Sequence, residues 1–450
     1  MPLKRSLGLF ETTMLGVGII VGAGIYALVG LAGVQAGNAL WLSFAIAGAI
    51  ACLTALSYAE LSSMYPRSGS SYYYSKHAFG SHSASFLLGW FVAITEVASA
   101  SAVALGFGQY FSNLFPGVSA PLAAVGILVF VFIVNAFGVK QASGVNVVCS
   151  LLEVSGLILV LCLAAAFAGL FTAPNAGFAS PQGFSGIVSG AALAFFAYLG
   201  FEIIATSAEE VKNPRKTLPR AMLLSIAICS VLYVAVAIAF TTMLPYAEIQ
   251  SVVAHGEGAL AVAAGAVGGP LVLIALSVIA LFSTANTVLV SIFGASRMIY
   301  GMSEDKALPA FFNKTTKRGA PVAALATVSL VSIALAALGD LSFVAAATVT
   351  GMFVVFFADN LAVLVLRFKQ PLAERGFRVP LSFKNVPLPT VAALVAIALI
   401  FGHELLANPL LAAGILGVIA VGIALFEGEA RLAKEITHRK IRLGRILRLN

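Results

Sequence analysis

Four glycines stand within nine residues of the run Gly16-Val17-Gly18-Ile19-Ile20-Val21-Gly22-Ala23-Gly24-Ile25-Tyr26. Each weakens a helix by about 1 kcal/mol relative to alanine. A helix that breaks at such a run exposes backbone N–H groups, and with the half-helix dipole these bind a carboxylate. The same residues also fit close helix packing, because Gly18 and Gly22 form a G-x-x-x-G pair. A second glycine, Gly200, lies in Phe195-Phe196-Ala197-Tyr198-Leu199-Gly200-Phe201-Glu202. The distance from Gly22 to Gly200 leaves room for five helices, and interrupted helices at matching places in two halves point to a site at mid-membrane.

Four acids, Glu96, Glu153, Glu202 and Asp359, fall inside apolar runs. An ionisable group at a helix centre costs about 2.5–3.5 kcal/mol on insertion scales, so each is a functional candidate. No Lys or Arg stands at similar depth to pair with them. Glu11 and Glu60 lie nearer the ends of their runs, where an acid reaches the interface. Ser283, Thr284, Asn286 and Thr287 form a hydroxyl-rich patch on one later run. Such groups bond their own helix, or supply oxygen ligands to a hard cation.

These residues must be carried by elements that lipid surrounds. The chain has 450 residues, 60% hydrophobic and 10% charged, against roughly 25% charged in a soluble domain. Apolar runs are continuous and long enough for helices, where a barrel strand would alternate over about ten residues. The reading is an all-α polytopic membrane protein with twelve spans, near 8–36, 40–65, 83–115, 119–139, 143–172, 184–208, 218–245, 269–302, 319–338, 341–367, 386–403 and 408–427. With an inside N-terminus, all 26 Lys and Arg fall in inside segments or at inside ends. The positive-inside rule then places both termini in the cytoplasm. The net charge of +8 reports topology, with no nucleic-acid partner implied. The basic tail, 428–450, reads either as an amphipathic helix on the inner leaflet or as a solvated anchor.

Other classes fare poorly. The four cysteines lie in apolar runs without C-x-x-C spacing, and the five histidines fall in loops or at helix ends. No metal site or cofactor is expected. There is no H-E-x-x-H, G-x-S-x-G or Walker sequence, which argues against a membrane-embedded enzyme or an ATP-driven pump. A channel would show filters or charge rings, and none is present.

Several segments resemble the amino acid–polyamine–organocation (APC) superfamily, close to its cationic and general amino acid branch. Gly22-Ala23-Gly24-Ile25 resembles its G-S/A-G-I signature. Pro66-Arg67-Ser68-Gly69 with Tyr72 and Tyr74 resembles its first cytoplasmic loop. Glu209-Glu210-Val211-Lys212-Asn213-Pro214 through Leu218-Pro219-Arg220 is the most specific match, and Ser296-Arg297 through Leu308-Pro309 is a fourth.

The resemblance implies a LeuT-type fold. Residues 8–172 and 184–367 would form two inverted five-helix repeats, and 386–427 two further helices, within a transporter domain 1–427. It implies a secondary active transporter of the cell membrane, working by alternating access on an amino acid. Gly22, Ala23, Gly24 and Ile25 would hold the substrate carboxylate. Carbonyls of Phe196 and Ala197 would receive its ammonium, Tyr198 would cover the site, and Gly200 and Glu202 would complete it. Some proton-coupled relatives carry a lysine where Glu153 stands, in place of a sodium ion. Glu153, Gly18, Ser283 and Thr284 are therefore the expected coupling residues. H⁺ is the expected coupling ion; Na⁺ symport and amino acid/polyamine exchange are the alternatives.

Overall fold

In the computed structural model, described for residues 7–66, 70–137, 143–168, 180–209, 211–316 and 320–446, nearly all structure is helical. Arg67, Ser68, Gly69 and Glu210 of the motifs above lie outside the described residues, as do the side chains of Glu209 and of the tail from 429 onward.

The helices are α1 (Leu9–Val21), α2 (Ala23–Ala36), α3 (Leu40–Met64), α4 (Ser70–Phe79), α5 (His82–Leu114), α6 (Ala120–Ala136), α7 (Ser143–Leu163) and α8 (Gly183–Phe195). After them come α9 (Pro214–Met243), α10 (Tyr246–Ala254), α11 (Ala259–Gly268), α12 (Pro270–Glu304), α13 (Val322–Ala337), α14 (Leu341–Lys369), α15 (Leu388–Ala407) and α16 (Pro409–Ile446). Among the described residues, eight helical stretches are long and apolar enough to cross a bilayer, and five more apolar helices are shorter. The chain is an all-α polytopic membrane protein. Apolar side chains face outward at helical spacing, as Leu271, Ile274, Val278 and Phe282 do on α12, which is how a helix presents itself to lipid.

Two of the expected spans are interrupted. α1 ends and α2 begins at Gly22, whose φ of −37° and ψ of −156° turn the chain out of the helix. After α8 the chain tightens into a 3₁₀ turn, Phe196–Tyr198, extends at Leu199, and continues as a second 3₁₀ segment, Phe201–Glu209. Gly200 joins these pieces with φ +114°, a conformation that a Cβ opposes. The two interruptions pack against each other, and α5 packs along α12 and α3 along α9.

Two connections hold three helices where the hydropathy pattern predicts loops. α4 follows α3, and α10 and α11 lie between α9 and α12. A short hairpin, β1 (Ser382–Phe383) against β2 (Val386–Pro387), precedes α15. α16 continues unbroken past the expected end of the last span, through Ile446.

The α3 end of this region holds an ion cluster that the sequence reading missed. Glu60, which the sequence places near a span end, is 1% exposed. Its carboxylate accepts Arg367 Nε at 2.9 Å and Nη2 at 2.5 Å, Arg375 Nε at 3.0 Å, and the Val379 N–H at 2.8 Å. Fork-on-fork geometry and a backbone donor satisfy a charge that would otherwise be very costly to bury. Nearby, the Lys212 N–H donates to the Leu7 carbonyl at 2.8 Å, and Arg215 meets Glu374 at 2.6 Å on the surface. Tyr72 of α4 donates to Asp305 at 3.0 Å; partial burial, and then that carboxylate, push its phenol up to about 12. These contacts join the segments before α1 and α9, α4, the end of α12 and the α14–α15 connection.

Candidate functional site

The two interruptions touch. A Cβ on Gly24 would lie 2.5 Å from the Ala197 Cα and 3.1 Å from its nitrogen. One on Gly200 would lie 2.7 Å from Ile19 Cγ2. Only glycine allows backbone to approach backbone this closely. Tyr233 of α9 lies across the contact. Its hydroxyl donates to the Ile20 carbonyl at 2.6 Å and faces the Ala197 carbonyl at 3.1 Å. Ile20 is in the last turn of α1, where carbonyls lack helical partners. Tyr233 is thus a positioning residue that the sequence reading missed, and nothing in its local sequence marks it.

A cavity of about 200 Å³ opens beside the contact. Its walls include Gly18, Gly22, Ala23 and Gly24 from the first interruption and Phe196, Gly200 and Glu202 from the second. Thr95, Glu96 and Ser99 of α5 face them, as do Asn286, Thr287 and Ser291 of α12 and Thr348 and Met352 of α14. Two carboxylic acids line the space, with neither Lys nor Arg among the described lining residues. The first turn of α2 points into it, with donors that no carbonyl of that helix can reach. The Ala23 N–H is already engaged, donating to Thr287 Oγ1 at 3.1 Å.

Glu202 has a local duty as well. It accepts the Gly200 N–H at 2.9 Å and so closes the second break with its own side chain. Glu96 sits across the cavity within electrostatic reach of Glu202, next to Ser291.

The other expected residues divide. Ile25 is buried and Ala197 packs under Gly24, both outside the cavity wall. The Ala197 carbonyl already faces Tyr233, and the Phe196 carbonyl accepts the Leu199 N–H at 3.2 Å. Tyr198 does not cover the site. Its hydroxyl donates to the Phe44 carbonyl of α3 at 3.0 Å, and its ring packs edge-on against Tyr233. The 3₁₀ turn rotates it off the cavity face.

The expected coupling residues also separate. Gly18 lies on the cavity wall, and a Cβ there would clash with Ser150 of α7, one turn before Glu153. Glu153 is 1% exposed and lies beside the Ser283 hydroxyl, yet neither of its oxygens closes a hydrogen bond among the described residues. Ser283 Oγ is equally unpaired. The Tyr26 hydroxyl donates to the Glu153 backbone carbonyl at 2.6 Å, which fixes α7 against α2. Thr284 does not join them, since its hydroxyl returns to its own helix at Ala280, 2.7 Å away. Glu153 and Ser283 thus form a buried polar pair behind the cavity wall.

Comparison with known proteins gives a consistent picture. The family profile described as amino acid permease matches residues 7–423. The chain is 33% identical over 422 residues to the branched-chain amino acid permease BcaP of Bacillus subtilis, covering 88% of both chains. It is 34% identical over 399 residues to the methylthioribose transporter of the same organism, covering 84% of each. It is 30% identical over 394 residues to the vacuolar cationic amino acid transporter 4 of Arabidopsis thaliana, covering 82% of this chain and 64% of that one.

Proposed function

The chain belongs to the amino acid permease family, and from that premise we propose that it is a secondary active transporter of amino acids, driven by protons and working by alternating access. The observation that carries this reading is the cavity at the two interruptions. On one wall the first turn of α2 offers donors for a carboxylate. Elsewhere in its lining stand Glu96 and Glu202, facing each other, with no Lys or Arg among the described lining residues. An amino acid carries both complementary charges. Glu202 is spent in part on Gly200, so Glu96 is the acid left to meet a second cation. That favours substrates with a basic side chain, and it agrees with the printed name of the plant relative. The buried pair Glu153 and Ser283 supports a site for the coupling ion.

In this reading the transporter has twelve spans with both termini cytoplasmic, in a LeuT-type arrangement of two inverted five-helix repeats plus α15 and α16. The loop contacts around Glu60 and Leu7 then lie on the cytoplasmic side.

Counterflow in liposomes tests the function. Purified protein should exchange L-arginine, and Glu96→Gln should weaken L-arginine exchange far more than L-leucine exchange. Losing one charge-assisted contact of about 1.5–3 kcal/mol predicts a roughly 10- to 100-fold rise in KM for arginine. Equal loss for both would remove the basic-side-chain reading, and no exchange of any amino acid would sink the transporter assignment.

A further inference from the structure

Asp359 of α14 is fully buried. Its Oδ2 accepts the Tyr58 hydroxyl of α3, and Tyr58 lies 2.8 Å from the Ser71 hydroxyl in the first turn of α4. Since the single Tyr58 proton is committed to Asp359, Ser71 is the donor in the second bond. Among the described residues nothing bonds to Asp359 Oδ1, nor to the hydroxyl of Tyr74, which packs edge-on to Tyr58. The titratable groups facing Asp359 are Tyr58 from α3, Tyr74 from α4 and Glu202 from the 3₁₀ segment, with Glu96 of α5 beyond Glu202. The nearest basic group on α14, Arg367, is held by Glu60.

The neighbouring residue shows what a purely structural link needs. Asn360 accepts the Ser57 hydroxyl at 2.7 Å, and Ser57 meets Thr390 of α15 at 2.9 Å. An amide and two hydroxyls fasten three helices there without an ionisable group. Asp359 makes the parallel link with a costlier residue and leaves one oxygen open.

We infer that Asp359 is a second proton-carrying group of this transporter, and that Tyr58 and Ser71 form its path toward α4. The inference rests on the proton-driven reading above. A proton arriving from Glu202 occupies the open Oδ1. A half-turn of the carboxyl presents it to the Tyr58 oxygen. Both hydroxyls must first turn, so that Tyr58 points at Ser71 and Ser71 points away from Tyr58. Tyr58 then takes the proton while passing its own to Ser71, and Ser71, 2% exposed here, gives its hydroxyl proton to water that reaches α4 during transport. Asp359 is left as a carboxylate, both hydroxyls are intact, and one proton has moved. Aromatic rings pack beside Tyr58 in this structure: Phe201 stacks on Phe356 at 5.2 Å and meets Tyr58 edge-on at 5.5 Å. Phe201 and Glu202 both belong to a nine-residue 3₁₀ segment, far longer than the usual three or four residues and a natural hinge. Its movement during transport would bring Glu202 to Asp359.

The full-length protein in sodium-free liposomes with a luminal pH dye tests this, with L-arginine and L-leucine as probes. Asp359→Asn should keep wild-type counterflow, while pH-driven accumulation and luminal acidification fall about a hundredfold, the scale of losing a positioned acid–base group. Tyr58→Phe should slow acidification in the same way. If Asp359→Asn accumulates substrate and acidifies the lumen as the wild type does, the relay is wrong and proton coupling stands. If the wild type itself shows no pH-driven accumulation, the coupling reading and the relay fall together. If Asp359→Asn also loses counterflow, Tyr58→Phe decides. Unchanged coupled uptake in that variant overturns the relay, and lost acidification with counterflow retained supports it.

Discussion

Replacing Gly200 by alanine should carry two separable costs. The residue has φ +114°, and a Cβ there would stand 2.7 Å from Ile19 Cγ2 and 3.2 Å from the Ile19 carbonyl oxygen. Holding alanine in that backbone region costs about 1–3 kcal/mol. Forcing a methyl group against α1 costs about another 1–3 kcal/mol. The Gly200→Ala variant should therefore lose about 2–6 kcal/mol in denaturant unfolding of the purified protein. It should also lose counterflow, because the same displacement pushes α1 away from the second break. Ile19→Leu keeps the volume and moves the branch off Cβ, so it relieves the side-chain clash alone. The double variant should recover about 1–3 kcal/mol relative to the sum of the singles, the coupling expected of residues in contact. A Gly200→Ala protein with wild-type unfolding and exchange would refute the argument at its root. A double variant showing no coupling would refute the contact with Ile19 and leave only the backbone term.

Two further outcomes follow from the ion pairs and from Glu153. Glu60→Gln leaves Arg367 buried and under-paired and should destabilise by about 3–5 kcal/mol, while Glu374→Gln, at a pair exposed on both sides, should cost less than about 1 kcal/mol. Melting curves of the two variants that coincide would contradict this division. Glu153→Gln should keep counterflow and lose pH-driven accumulation, measured without sodium; accumulation that needs sodium in the wild type would assign Glu153 and Ser283 to a cation instead.

The breaks were legible in the sequence because glycine marks backbone strain locally, and the first falls at Gly22 itself. What the glycines meet was not legible. Gly24 was read as room for a substrate, yet its nearest neighbour is the Ala197 backbone, 173 positions away. Gly22 differs, since a Cβ there would meet only the Thr287 hydroxyl at 2.9 Å and the Ile19 carbonyl oxygen at 3.4 Å. The resemblance alone assigns Tyr198 to cover the site, and the structure has it in a 3₁₀ turn with its hydroxyl on the Phe44 carbonyl. The loop helices escaped because α4 is polar and α11, with ten residues, is too short to read as a span. Glu60 could have been found: the charge parity puts it and Arg367 at the same end of their spans, where a basic partner is within reach of the acid.

The buried acids sort by how they are compensated. Glu60 has two guanidinium partners and a backbone N–H, so its role is complete in the folded state. Glu202 has the Gly200 N–H and Asp359 the Tyr58 hydroxyl, while Glu153 has no hydrogen bond to either oxygen among the described residues. None of these three has a cationic partner there. Each is costly to keep inside a bilayer, and hydrophobic packing at the same positions would be more stable. They stand around the two helix breaks, in the cavity wall or one layer behind it. Acids without basic partners, gathered where the backbone is weakest, favour a passage in which the missing positive charge arrives with the cargo.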